Sequence, residues 1–193
     1  MKRISVLSMG FAAVLALTAH AQSPDVPKLA DVAGRYAITQ SSRIGFTVGQ
    51  VGGGGIKGVF GNFAGTFDLR ADDLAHSAVS FELRPESVST GQARIDNFLR
   101  SGAVFDTTHF DRISFRSARV EQTGRDTARI VGTLTAKGRS SSETFDVTLA
   151  NRQGNRITFN VTGRIFRSRY GMDVGTPIYS NVVQFDMLIN GQR

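Results

Sequence analysis

Few residues in this chain have side chains suited to chemistry. Beyond the first 21 positions there are two histidines, His76 beside Asp72 and Asp73, and His109 in the connection before Ile113. An imidazole near a carboxylate can serve as a general acid or base. However, the chain shows no serine in a nucleophile elbow, no His-x-x-x-His pair and no carboxylate cluster at metal-ligand spacing. Cysteine is absent, which removes thiol catalysis, disulfides and thiolate metal sites. Gly52-Gly53-Gly54-Gly55-Ile56-Lys57 has two readings: backbone amides cradling a phosphate with Lys57 alongside, or a flexible hairpin loop. It lacks the strand-to-helix setting of a P-loop. This inventory favours binding over turnover, no cofactor is required, and the histidines read as surface groups.

The elements that carry these residues are written in period two. Apolar side chains alternate at Ile44, Phe46 and Val48, at Val79, Phe81 and Leu83, at Phe145, Val147 and Leu149, at Ile157, Phe159 and Val161, and from Val183 to Ile189. Each such strand has one apolar face, and with little helix to cover them the faces must bury one another in a sandwich or a closed barrel. Strands are expected at Arg35 to Thr39, Arg43 to Val51, Ile56 to Leu69, Ser77 to Leu83, Ile113 to Val120, Ala128 to Ala136, Glu143 to Ala150, Arg156 to Ile165 and Asn181 to Asn190. Turn residues separate them, among them Ala71-Asp72-Asp73 and Gly138 to Ser142. One stretch differs. Gln92 to Leu99 has helical spacing, with Ile95, Phe98 and Leu99 on one side, and Ser101-Gly102 ends it.

Lys2 and Arg3 precede an apolar run from Ile4 to Leu17, and Ala19-His20-Ala21 follows as a cleavage pattern, so residues 1–21 read as an export signal and the product as periplasmic. The run is short for a membrane span. Removing the first 21 of the 193 residues lowers the formal charge from +7 to +5. The arginines are scattered rather than clustered, which suits solubility or a weak, transient attraction to a membrane surface better than a nucleic-acid groove. Residues 22–33 read as a leader and 34–193 as one domain.

Phe46, Phe67, Phe81, Phe115, Phe159 and Phe185 lie on the apolar parity of their strands, as do Leu134 and Phe145. They either fill a core or line a hollow. Gly45, Gly61, Gly65, Gly132 and Gly163 fall within strands, where glycine marks a bend or a close approach.

The chain resembles the YceI-like family of exported lipid-binding proteins. The resemblance rests on Ile44 to Val48, Gly58 to Asp68, Arg94, Asp96, Leu99-Arg100-Ser101, Phe105-Asp106, Ile113 to Ser117, Gly132 to Gly138, and Arg169 to Met172. It implies an all-β, lipocalin-like antiparallel barrel of about eight strands with one short inserted helix. It further implies an isoprenoid lipid or quinone held inside, and a homodimer. The lining would be Phe46, Val48, Phe67, Phe81, Phe98, Leu99, Phe115, Leu134, Phe145, Phe159 and Phe185. Arg94, Asp96 and Arg169, with Asp173, would grip a head group or pin the helix and the Arg169 turn to the rim. Phe98 stands where the family usually has a histidine, and Phe110-Asp111 where it has tyrosine-proline.

A buried isoprenoid tail gains ~0.8 kcal/mol per methylene against water and almost nothing against a bilayer, so a hollow barrel suits carriage. Two other classes fit the alternation. An integral outer-membrane barrel would place Glu82, Arg116, Asp146 and Asp186 on its lipid face, a costly arrangement. A solid-core interaction domain would do its work at its surface instead.

Overall fold

A computed structural model describes residues 28–70 and 73–193. The expected export signal lies outside the described residues, as do residues 22–27 of the leader and Ala71-Asp72. The strands are β1 (Gly34–Ile38), β2 (Arg43–Gln50), β3 (Gly55–Phe60), β4 (Phe63–Leu69), β5 (Ala78–Leu83), β6 (Val88–Ser89), β7 (Ile113–Gln122), β8 (Thr127–Ala136), β9 (Arg139–Gln153), β10 (Arg156–Phe166) and β11 (Tyr179–Gln192). Every pairing is antiparallel, and contacts of β1 with β11 close the sheet.

These strands form the eight staves of a closed up-and-down barrel, three of them interrupted. β1 and β2 both pair with β11, β3 and β4 both pair with the β1–β2 stave, and β5 and β6 both pair with the β3–β4 stave. The chain takes five steps from Ile38 to Arg43 while its partner takes three from Gly191 to Leu188, so Thr39 to Ser42 is an insertion within one stave. The expected strand Ile56 to Leu69 is likewise one stave, broken at Gly61-Asn62. Closure pairs the strands around the ring through β5–β7 and β1–β11, the usual solution for an alternating sheet, while the short β6 pairs with β3 alone.

Two details set which side chains face inward. A bulge on β7 between Ser117 and Arg119 lets both Phe115 and Val120 point into the barrel although they are five residues apart. The turn expected at Gly138 to Ser142 is shorter. Lys137 and Gly138 alone make it, with φ of 48° and 72°, so Arg139 to Ser142 pair with β8 as strand. The run of serines looks like a turn in sequence and is instead the edge-to-edge continuation of a two-residue hairpin.

The helix α1 (Ala93–Arg100) sits between β6 and β7. Alternation of direction puts α1, the β2–β3 hairpin, the Lys137-Gly138 turn and the Arg167 to Ile178 connection at one end of the barrel. The chain's first described turn, Leu29–Val32, closes the opposite end. Leu29 and Val32 are fully buried there, and Leu29 N donates to Arg125 O at 3.1 Å, so part of the expected leader belongs to the core.

Candidate functional site: an apolar chamber with one mouth

The inward faces enclose a chamber of about 700 Å3 running the length of the barrel. Its wall carries all eleven side chains expected to line it, from Phe46, Val48, Phe67 and Phe81 through Phe115, Leu134, Phe145, Phe159 and Phe185 to Phe98 and Leu99 of α1. The polar lining side chains are few: Gln92, Arg94, Ser114, Arg167, Tyr170 and Tyr179. At the closed end the wall includes Leu29 and Leu74. At the other end Arg94, Phe98 and Val174 are both lining and exposed, so the mouth lies between α1 and the Arg167 to Ile178 connection.

The barrel is hollow despite its phenylalanines because their rings lie against the wall. Phe145 on β9 pairs with Gly163 on β10, and a Cβ at Gly163 would stand 2.4 Å from its ring. Phe46 covers Gly58 in the same way at 2.7 Å, one strand across. A glycine beneath each ring lets it fold down onto backbone instead of projecting to the axis. The rings then join edge to face along the wall: Phe115 to Phe145 at 5.2 Å and Phe145 to Phe185 at 6.4 Å, with Phe67 to Phe159 at 5.6 Å nearer the base.

The charged positions divide into one that faces the mouth and two that do not. Arg94 lines the opening, and among the described residues no hydrogen bond or ion pair holds its guanidinium. Asp96 is turned inward beneath α1, where its Oδ1 accepts from Thr90 N at 2.7 Å and Thr90 Oγ1 at 2.6 Å. Those bonds, the hydroxyl's above all, hold its carboxyl below the usual range against the opposing effect of burial. Arg169 also stands off the chamber. Its Nη1 meets Glu143 at 3.2 and 3.3 Å, pinning its turn to β9, and the same carboxylate accepts from the Tyr170 hydroxyl at 2.8 Å. Burial pushes the Tyr170 phenol up, and the adjacent Glu143 adds to this, so it stays a donor.

Helix and mouth are anchored by residues the sequence reading did not single out for that role. Arg100 donates to the carbonyls of Glu86 and Val88, both at 2.8 Å, and so performs the helix clamping expected of Arg94. Arg167 is buried at the chamber wall and spreads its guanidinium over the mouth connection and the first residues of β11. It reaches the carbonyls of Ser180 (2.8 Å), Val174 (2.9 Å), Tyr179 (3.2 Å) and Met172, and the hydroxyl of Thr176 (2.9 Å). Burial lowers its pKa, with Asp173 opposing. Backbone acceptors leave no mark in a sequence, so neither role was visible there.

The remaining candidates are local. Gly52 to Gly54 form the tip of the β2–β3 hairpin, Gly55 opens β3 opposite Gly49, and Lys57 faces outward between the lining residue Ile56 and Gly58. His109 Nδ1 lies 2.8 Å from Asp106, and His76 contacts Asp73, both on the surface and at opposite ends of the barrel. Among the described residues no three metal-ligating side chains come together.

A closed barrel around a long apolar chamber with its mouth beside α1 defines a container for a hydrophobic guest. The model of the YceI-like domain matches residues 36–190, and the chain belongs to that family. A UPF0312 protein of Staphylococcus aureus is 32% identical over 124 residues, covering 61% of this chain and 70% of its relative. Burkholderia cenocepacia BcnA has the same fold, with a TM-score of 0.74 at 21% identity over 79% of this chain and 98% of its own. A polyisoprenoid binding domain from Saccharophagus degradans, implicated in plant cell wall breakdown, superimposes with a TM-score of 0.67 at 13% identity, covering 83% of this chain and 98% of that one.

Proposed function

We propose that this protein is an exported, periplasmic carrier that shields the tail of an isoprenoid-type lipid, a quinone or a polyprenyl phosphate, inside its barrel. The observation that carries the reading is the chamber itself: about 700 Å3, walled almost entirely by apolar side chains and open at the end where Arg94 stands. Such a volume lies within the range of small-molecule sites. The name of the S. degradans neighbour points to the same ligand class. The tail is held by burial alone, which is strong against water and nearly neutral against a bilayer, so loading and release need no covalent chemistry. Arg94 is placed to meet a polar or anionic end. The work is binding, not catalysis, and a homodimer with transient membrane contact is part of the proposal.

The test is mass spectrometry of organic extracts from protein purified out of its native compartment, together with thermal unfolding against a long-chain quinone and a polyprenyl phosphate. An isoprenoid in the extract and a midpoint that climbs with ligand concentration support the reading. A lipid-free extract together with an unmoved midpoint overturns it. Arg94→Ala should weaken the phosphate-bearing lipid more than the quinone while leaving α1 in place.

A further inference from the structure

We infer that the open end of the barrel is a lip that docks on a lipid bilayer, so that guests cross between membrane and chamber without entering water. This rests on the carrier reading and adds the surface through which it works. Most large apolar side chains exposed among the described residues gather here: Val51 is 75% exposed, Ile178 60%, Phe98 44% and Val174 43%. They come from the three connections that frame the mouth. Val51 and Ile178 form one tip, because Val51 N donates to Ile178 O at 2.9 Å and ties the β2–β3 hairpin to the connection before β11. Phe98 stands one helical turn beyond Arg94, so α1 turns a ring and a cation toward the same side.

Two features select a bilayer as the occupant. A protein or a second copy seated on the lip would stopper this mouth, whereas a fluid apolar phase covers the lip and also receives what leaves it. The tip between Val51 and β3 is Gly52-Gly53-Gly54, around which added Cβ atoms would find nothing within 4 Å. It offers a protein partner no side chain to read, and insertion among acyl chains needs none. Arg94, with no hydrogen-bond or ion-pair partner among the described residues, suits the anionic head groups at that surface. Arg167 holds the mouth connection in shape through its backbone bonds, so the lip is a fixed surface.

The experiment uses the whole protein with vesicles of phosphatidylethanolamine and phosphatidylglycerol, and with a long-chain quinone as probe. Flotation with the vesicles and the rate of quinone transfer out of them are compared with uptake of quinone diluted from ethanol. Val51 and Ile178 lie outside the chamber lining, so the double variant V51D/I178D tests the lip and spares the site. Wild type should float. The variant should stay in solution and lose transfer by about tenfold or more, since each apolar tip gives up its burial, while ethanol uptake is unchanged. Three results overturn the inference: wild type that takes up quinone from ethanol without floating, a variant that floats and transfers like wild type, or a self-association abolished by V51D/I178D with no flotation. Wild type that floats but takes up no quinone from ethanol overturns the carrier reading instead.

Discussion

Gly163 is the sharpest place to test whether the chamber is hollow because its rings lie down. It sits on β10 with Phe145 of β9 on one side and Phe185 of β11 on the other. A Cβ there would stand 2.4 Å from Cδ1 and 2.7 Å from Cε1 of Phe145, where ordinary contact begins at 3.4 Å. Gly163→Ala must therefore shift that ring by about 1 Å, and the sheet beneath leaves only the bore to receive it. Overpacking of this kind costs about 1–3 kcal/mol. In a domain of this size each kcal/mol lowers Tm by roughly 2–4 °C. The same movement narrows the chamber, so quinone uptake should weaken along with Tm. A thermal-unfolding double-mutant cycle separates the two effects. Phe145→Leu alone leaves a gap over Gly163 and is destabilising, whereas Phe145→Leu with Gly163→Ala fills that gap with a methyl group and recovers stability. A coupling of about 1 kcal/mol or more in favour of the pair is expected. Additive losses, or a Gly163→Ala variant with unchanged Tm and uptake, would refute the account of ring over glycine.

Three further perturbations test the framework around the mouth. Tyr170→Phe leaves the buried Glu143 with Arg169 as its remaining partner, and the lost bond should cost about 1–3 kcal/mol in denaturant unfolding. Arg167→Lys cannot serve five acceptors spread over Met172 to Ser180, so hydrogen exchange should accelerate in that connection while the β7–β8 amides keep their protection. The Asp96 carboxyl titrates below its unfolded value, so its contribution is complete above the ordinary carboxylate range and is lost as pH falls through the folded value. Thr90→Val removes the hydroxyl bond and should move the acid-induced loosening of α1 to higher pH, read by NMR titration of the helix amides.

The barrel was legible because a stave has only two faces. Once Ile44, Phe46 and Val48 alternate with polar neighbours, their common side is settled locally, and ring closure makes the common sides converge. The breaks at Thr39 to Ser42 and at Gly61-Asn62 were not legible as breaks within single staves, because that depends on which distant strand each half meets. The β7 bulge is a similar case. Its effect is visible only in the register with β8, where Ser117 faces Gly132 and Arg119 faces Val131.

The mouth separates what spacing can reveal from what it cannot. Arg94, Asp96 and Arg169 stood out as charges at recognisable positions, yet the structure gives them three different settings: Arg94 at the opening, Asp96 under the helix, and Arg169 on Glu143, 26 residues away. Arg100 and Arg167 do more to hold this end, through backbone carbonyls that every residue possesses. Chamber lining follows from periodicity and can be read strand by strand. Mouth architecture follows from long-range bonds to main chain and requires the register. The pairing of Phe145 over Gly163 has features of both: each residue is conspicuous in its own strand, and only the registration of β9 with β10 shows that one makes room for the other.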